Sequence, residues 1–141
     1  MSGLAFCDTH IAVYSVAAGV DAIKKDIARK LILDLAARSA GMISTQVLNE
    51  FMSVLTRKSA TPISHEQLVK NVEELARLIV IPTDLTLVRV AIERSNASQI
   101  NYWDALIVEA AIRGGAETLY TEDMQHGMRF GTLRVINPFL F

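Results

Sequence analysis

The chain alternates short β-type runs with segments of helical periodicity. The β-type runs are LAFC, GMIS, LIVIP, ETLYT and LRVIN, and helical patterns follow each of the first three and precede the fourth. Parallel neighbours in a sheet need a crossover connection, usually a helix, whereas antiparallel neighbours can be joined by a short turn. This order therefore predicts an α/β fold in which helices cover both faces of a mostly parallel sheet.

The length and composition of the chain fit one such domain. Its 141 residues, of which 51% are apolar, are enough for one well-packed core and too few for two ordinary domains. No internal repeat or low-complexity stretch interrupts the pattern. A formal net charge of -1 excludes the basic field typical of sequence-independent nucleic-acid binders. We therefore predict a single domain over residues 1–141, whose contacts with phosphate groups are local.

One cysteine and the lack of targeting patterns indicate the compartment. Cys7 has no partner for an intramolecular disulfide, and it lies in an apolar run, as a buried thiol in a reducing compartment would. The N-terminus MSGLAF has no basic region before an apolar segment, and no run of about 18 apolar residues exists to cross a membrane. We expect a cytoplasmic protein that does not associate with membranes.

Capping residues support the predicted helix boundaries. Ser64 followed by Gln67 has the pattern of a capping box, and Asp84 is placed to cap the next helix. The glycine pair at 114–115 is placed to end the helix that begins near Tyr102.

Residues 21–39 and 64–78 have the pattern of two long amphipathic helices inserted between strands. The first carries basic side chains at Lys24, Lys25, Arg29, Lys30 and Arg38. We expect these two helices to form the walls of a groove.

Acidic side chains follow two of the predicted strands at their carboxyl ends. The first apolar run stops at Asp8, and Asp123 comes just after ETLYT. Ligands of open parallel sheets bind outside these strand ends, so the two carboxylates share one edge if their strands are neighbours. Asp8 has an alternative interpretation as the N-cap of the helix that follows it.

Glu50 lies on the helix TQVLNEFMSVLTRK, at the border of its predicted apolar stripe. That stripe comprises Val47, Leu48, Phe51, Met52 and Leu55. Glu50 can therefore point inward at the same edge of the sheet, although an exposed helix glutamate is the simpler alternative.

Asp104 lies on NYWDALIVEAAIR, where apolar residues cover almost the whole circumference and predict a helix that is buried all round. A buried ionised carboxylate is costly unless it meets a cation or hydrogen-bond donors. The alternative is that Asn101 caps the helix and Asp104, in the first turn, offsets the helix dipole.

Four carboxylates gathered at one edge repel one another. At roughly 5 Å and an effective dielectric near 20, each pair costs about 3 kcal/mol. Such a cluster persists by raising its pKa values or by binding a cation. Oxygen-only ligands favour Mg²⁺ or Mn²⁺ over Zn²⁺, which prefers His and Cys.

The chain resembles the PIN-domain family, and within it the small toxin ribonucleases of VapBC toxin-antitoxin pairs. The resemblance covers nearly the whole chain and is carried by FCDTHIAVY, STQVLNEF, NYWDALIVEAA and LYTEDMQHG, in the family's order. Each motif is short, but the ordered set is specific. The resemblance implies a three-layer α/β/α sandwich with a central, mostly parallel five-stranded sheet.

The resemblance also implies the chemistry and the partners. The catalytic and metal-binding residues are expected to be Asp8, Glu50, Asp104 and Asp123, with Mg²⁺ or Mn²⁺ as the cofactor of an endonuclease that hydrolyses RNA. Asp104 or Asp123 is expected to act as the general base. The implied partners are the RNA substrate and a small antitoxin protein. A homodimer is also expected from the apolar excess, with a mean hydropathy of +0.30.

Neighbouring polar residues are expected to support this site. Thr9 and Thr121 match hydroxyl residues of the family's motifs and are expected to orient the site by hydrogen bonds. His10 stands where the family usually has asparagine after Asp-Thr, so the local hydrogen bonds are expected to differ. Arg57, Lys58 and the helix at residues 24–38 are expected to hold the flanking strand of the nucleic acid.

Four further polar residues have simpler interpretations. Glu122 is expected to be an exposed loop glutamate, with support of the metal ligands as the alternative, and Glu109 a helix residue that faces a partner or a basic side chain. His65 and His126 are expected to be surface histidines outside the catalytic set, with a role as proton donors as the alternative.

Other functions are weighed against the nuclease. A phospho-acceptor receiver domain needs an adjacent acidic pair near the first strand and a late lysine, but FCDTH has one acid and no lysine follows Lys70. A phosphatase with an aspartate nucleophile needs Asp-x-Asp, which Asp8-Thr9-His10 lacks. A nuclease of RNA processing or of DNA, and a catalytically weak binding protein that keeps the fold, remain as alternatives.

Overall fold

The computed structural model describes residues 3–57 and 62–140, and Lys58 lies outside these ranges. The strands within them are β1 (Ala5–Cys7), β2 (Gly41–Ser44), β3 (Ile79–Ile81), β4 (Thr118–Tyr120), β5 (Arg129–Phe130) and β6 (Leu133–Ile136). The helices are α1 (Thr9–Val16), α2 (Ala22–Ala37), α3 (Thr45–Leu55), α4 (His65–Leu75), α5 (Leu85–Ser98) and α6 (Tyr102–Arg113).

The strands form one sheet in the order β3-β2-β1-β4-β6-β5. Its first five strands are parallel to their neighbours, and Phe6 of β1 lies opposite Met42 of β2 on one side and Leu119 of β4 on the other. The α/β class and the mostly parallel sheet predicted from the sequence are confirmed. Because β1 and β4 are central neighbours, the segments that follow them, with Asp8 and Asp123, emerge at the same edge of the sheet.

The sheet has a sixth strand that the sequence does not predict. β5 consists of two residues and pairs antiparallel with β6, with Phe130 opposite Leu133. Gly131 makes the tight turn between them with a φ of +62°, a left-handed conformation that side chains rarely adopt. A two-residue strand is too short to show an alternating pattern in the sequence. The sheet therefore has one strand more than the five that were expected.

The helices pack on the sheet in two groups. α1 packs against α2 and α3, α3 also contacts α4, and α5 packs against α6. Phe6, Met42, Phe51 and Leu119 are fully buried in the core between these layers. Apolar strands without alternation are the pattern of a parallel sheet that is covered on both faces.

The prediction that α6 is buried all round is wrong at two positions. Six of its residues are buried, from Ala105 to Ala111 without Glu109, but Trp103 is 62% exposed and Ile112 is 39% exposed. Trp103 lies in the first turn of the helix and Ile112 in its last. Counting apolar residues around the helix does not reveal that residues near its ends are exposed.

The predicted caps are present. Ser64 Oγ accepts a hydrogen bond from the Gln67 amide, and Asp84 Oδ1 accepts one from the Leu87 amide. Gly114 is the C-cap of α6, and the next glycine has a φ of +80°. These local signals place the ends of α4, α5 and α6.

The two inserted helices are present as α2 and α4, and Arg29 of the first lies 3.4 Å from Glu74 of the second. α4 ends at Leu75, three residues before the predicted end, and the chain then turns into β3. No helix within residues 3–57 and 62–140 has the length and apolar character that crossing a membrane requires.

Candidate active site

The four acids singled out in the sequence line one cavity of about 290 Å³. Asp8 comes from the end of β1, Glu50 from α3, Asp104 from α6 and Asp123 from the loop after β4. The cavity is also lined by Thr9, His10, Gln46, Ser53, Val54, Arg57, Trp103 and Ile107. Neither α2 nor α4 contributes to its lining, so the helices expected to wall the groove do not wall this cavity.

Asp8 serves both as a helix cap and as part of the cavity. Its Oδ1 accepts a hydrogen bond of 2.7 Å from the Thr9 amide, and its Oδ2 accepts one of 2.8 Å from the Thr121 hydroxyl. The pKa of Asp8 is raised from 3.8 to about 6, and burial is the main cause. The two hydrogen bonds lower this pKa in part, and the charges of Asp123 and Glu50 raise it. The two interpretations of Asp8 are therefore compatible.

Thr121 connects two of the acids. Its buried hydroxyl donates to Asp8 Oδ2 and accepts a hydrogen bond of 3.1 Å from the Asp123 amide. The side chain of Asp8 and the backbone of the loop that carries Asp123 are thus held by one oxygen atom.

Glu50 is held at the cavity wall by two donors. The Thr9 hydroxyl donates to Glu50 Oε1 over 2.7 Å, and Gln46 Nε2 lies 3.5 Å from the same oxygen. Glu50 is half-buried rather than fully exposed, so its carboxylate faces the cavity from the border of the apolar stripe.

Asp104 occupies the first turn of α6 in a reciprocal cap. Its amide donates to Asn101 Oδ1 over 2.9 Å, and Asn101 Nδ2 donates to Asp104 Oδ2 over 2.7 Å. Burial raises the pKa of Asp104, the hydrogen bond from Asn101 lowers it, and the charges of Asp123 and Glu50 raise it. The capping interpretation is correct, and the same side chain also lines the acidic cavity.

His10, which replaces the family's usual asparagine, pairs with Asp123. Its Nδ1 lies 2.9 Å from Asp123 Oδ2, and both side chains are almost half exposed. The approach is that of an ion pair when the imidazole is protonated, but it is not aligned as a hydrogen bond. Asp123 is therefore the acid whose carboxylate is most open to solvent at the cavity mouth.

The expectation that Glu122 is an exposed loop residue is wrong. Its side chain is only 17% exposed, because the Tyr14 hydroxyl donates to Oε1 and Lys24 Nζ lies 2.9 Å from Oε2. Burial raises the pKa of Glu122, but the hydrogen bonds from Tyr14 and Lys24 outweigh it and leave the pKa lowered. Glu122 fastens the loop next to Asp123 onto α1 and α2.

The other polar residues have local roles. Glu109 faces a basic side chain, as expected, with Oε2 2.7 Å from Arg94 Nε. His126 Nδ1 accepts a hydrogen bond of 3.0 Å from the Asn137 amide, and neither His126 nor His65 lines the acidic cavity.

Gln46 and Trp103 are among the residues of the cavity wall that the sequence did not indicate as part of the site. Gln46 is 8% exposed, its Nε2 donates to the Trp103 carbonyl over 3.3 Å, and its buried Oε1 has no hydrogen-bond partner among the described residues. Gln46 lies one helical turn before Glu50, a spacing that puts both on one face of α3. Trp103 was not expected to line the cavity, because the apolar composition of its helix predicts that it is buried.

The carboxylates that line the cavity are the type of ligand that a hard divalent cation prefers. Four carboxylates from separate segments, two of them with pKa values raised by burial and by the charges of Asp123 and Glu50, gain from neutralisation by an oxygen-preferring ion. Within residues 3–57 and 62–140, no three His, Cys, Asp or Glu side chains are arranged to hold one metal ion. The carboxylates contact Thr9, Thr121, Asn101 and His10.

Similarity to known proteins agrees with this architecture. A model of the PIN domain matches residues 5–127 of the chain, whereas no curated protein matches it significantly in sequence.

Similar solved structures include three bacterial chains. One is from a toxin-antitoxin complex of Klebsiella pneumoniae, with 15% identity, 97% of this chain and 99% of that chain covered, and a TM-score of 0.67. Another is from VapBC2 of Rickettsia felis bound to a promoter DNA fragment, with 24% identity, coverages of 94% and 96%, and a TM-score of 0.64. The third is VapC20 of Mycobacterium tuberculosis, described as a sarcin-ricin loop cleaving toxin, with 23% identity, coverages of 84% and 89%, and a TM-score of 0.62. At these identities the likeness is one of fold.

Proposed function

Because this chain belongs to the PIN-domain family, we propose that it is a divalent-metal-dependent endoribonuclease, the toxin of a type II toxin-antitoxin pair. The observation that carries the proposal is the single cavity lined by four carboxylates from four separate segments. We further propose that residues 1–141 form one nuclease domain and that it acts in the cytoplasm, where the buried thiol of Cys7 stays reduced.

We propose that Asp8, Glu50, Asp104 and Asp123 hold Mg²⁺ or Mn²⁺. When bound, such an ion activates water and stabilises negative charge on the leaving oxygen of a phosphodiester. Thr9 and Thr121 orient the carboxylates of Glu50 and Asp8 through the hydrogen bonds they donate.

The general base is proposed to be Asp104 or Asp123. Asp8 is 5% exposed and both of its oxygens accept hydrogen bonds, so it is poorly placed to take a proton from water. Asp123 is exposed and Asp104 is half-buried, and the raised pKa of Asp104 favours proton uptake. Either carboxylate can therefore receive the proton of the attacking water.

Arg57 is the basic residue best placed to hold the flanking strand. It lines the acidic cavity and makes no ion pair with any other residue in the described parts of the chain. The expected role of the basic helix is not supported in the same way, because α2 does not line the cavity and Lys24 is paired with Glu122. We therefore assign the phosphate contact to Arg57.

A small antitoxin is the proposed partner. One of the similar structures is described as a toxin-antitoxin complex, and another as VapBC2 bound to a fragment of promoter DNA. A second cavity of about 740 Å³ between α1, α3 and the start of α4 is lined largely by apolar side chains, which such a partner would cover. Large exposed apolar residues elsewhere, such as Ile23 and Ile92, are consistent with the proposed homodimer.

The experiment is cleavage of defined RNAs with Mg²⁺, with Mn²⁺ and with chelator, comparing the wild type with Asp8→Asn. Asp84→Asn is the matched control, because Asp84 is also an aspartate N-cap but lies outside the acidic cavity. We expect Asp8→Asn to abolish metal-dependent cleavage and Asp84→Asn to retain it. Cleavage of DNA alone, or binding of RNA without cleavage by the wild type, would replace this proposal with one of the alternatives.

A further inference from the structure

The largest exposed apolar side chain of the acidic cavity is an aromatic one. Trp103 is 62% exposed, lines the cavity and lies directly before Asp104. It is also the only tryptophan of the 141-residue chain. The exposed indole of Trp103 is therefore an aromatic surface beside the four carboxylates, which a ligand in the cavity can contact.

The indole is presented on a fixed support. The Tyr102 ring packs edge-on against it, with ring centroids 5.3 Å apart and an interplanar angle of 70°. The Trp103 carbonyl accepts a hydrogen bond from Gln46 Nε2, which joins the first turn of α6 to α3. Gln46 is itself buried, so the backbone beneath the indole is anchored to the cavity wall.

The carboxylates of Asp104 and Asp123 repel any phosphate group whose charge no bound cation neutralises, whereas a nucleobase is neutral and can stack on an aromatic face without that penalty. Arg57 lines the same cavity and provides the cationic contact for a neighbouring phosphate.

We propose that Trp103 is the stacking platform for an unpaired base next to the scissile phosphate. The inference rests on the proposed nuclease function and adds to it a residue that positions the substrate. Bases within an RNA duplex are stacked on their neighbours and are not available to an indole, whereas splayed bases of loops and ends are.

The first experiment uses Trp103 as its own reporter. Wild-type protein with Mg²⁺ is mixed rapidly with a short single-stranded RNA, and tryptophan fluorescence is read before cleavage. The controls are an abasic oligomer of equal length and charge and a duplex of the same sequence. We expect saturable quenching by the single strand only, and equal quenching by the abasic oligomer would overturn the inference.

The second experiment separates stacking from chemistry by steady-state cleavage. Trp103→Leu should raise KM about tenfold or more with little change in kcat, a size within the range measured for base-aromatic stacking, whereas Trp103→Phe should stay close to the wild type. Leu85→Ala is the matched control, because Leu85 is 61% exposed on α5 and lies outside the acidic cavity. Thermal melting verifies that all variants are folded.

The two proposals fail in different ways. Cleavage of RNA with an unchanged KM in Trp103→Leu, or equal cleavage of duplex and single strand, overturns the stacking inference and leaves the nuclease proposal standing. Base-dependent quenching without any cleavage supports the stacking inference and refutes the nuclease proposal.

Discussion

Asp8→Asn is expected to stabilise the metal-free protein at pH 7. Asp8 is 5% exposed and faces the charges of Asp123 and Glu50, and burial is the main reason that its pKa rises from 3.8 to about 6. Folding at neutral pH therefore forces an ionised carboxylate into surroundings that disfavour its charge.

The magnitude follows from this pKa. A rise from 3.8 to about 6 corresponds to about 3 kcal/mol of lost stability at pH 7. Because the folded state binds more protons than the unfolded state between these two pKa values, the free energy of unfolding falls as the pH rises through that window. Asparagine removes the charge and keeps an oxygen that can accept from the Thr9 amide, but it forces the Thr121 hydroxyl to turn. We expect a gain of about 1–3 kcal/mol at pH 7 and almost none near pH 4.

Urea unfolding in the presence of chelator, at pH 7 and near pH 4, measures this difference. Asp84→Asn is the control, because the pKa of Asp84 is lowered by hydrogen bonds from the Leu87 amide and Arg113, so its substitution should reduce stability at pH 7. If Asp8→Asn instead loses stability at pH 7, the helix cap outweighs the charge repulsion and the reasoning is refuted. A gain that does not change with pH would refute it as well.

Two further predictions test the cluster. Mg²⁺ or Mn²⁺ should raise the Tm of the wild type by mass action and leave that of an Asp8→Asn/Asp104→Asn double variant unchanged in thermal scans; an equal rise in both would indicate nonspecific binding. Thr121→Val deletes the hydroxyl that joins Asp8 Oδ2 to the Asp123 amide, so RNA cleavage should fall about 10- to 100-fold. Unchanged cleavage in that variant would contradict an orienting role for Thr121.

The parts of the fold that depend on local patterns could be predicted from the sequence. Apolar runs and capping residues such as Ser64 and Asp84 mark the elements correctly, because their signals lie within a few residues. The strand order is not local, and only the pairing of β1 with both β2 and β4 places Asp8 and Asp123 at one edge.

The departures occur where a side chain meets partners far away in the chain. Glu122 looks like a loop residue, but its donors Tyr14 and Lys24 are 108 and 98 positions away, and no pattern around it reveals them. Trp103 looks like part of a buried helix, yet it is exposed in the first turn of α6. For Asp104 two interpretations remained open, and the first turn of α6 satisfies both.

The central place of β4 has a consequence for a nascent chain. β4 pairs with β1 in the middle of the sheet, yet it is made late, and the hydrogen bond from Thr121 to Asp8 joins residues 113 positions apart. Contacts of such sequence separation form slowly and only once both partners exist. A ribosome that has translated no further than α6 holds a chain without Asp123 and without the central strand β4. Translation products that stop before β4 are therefore expected to lack the proposed nuclease activity.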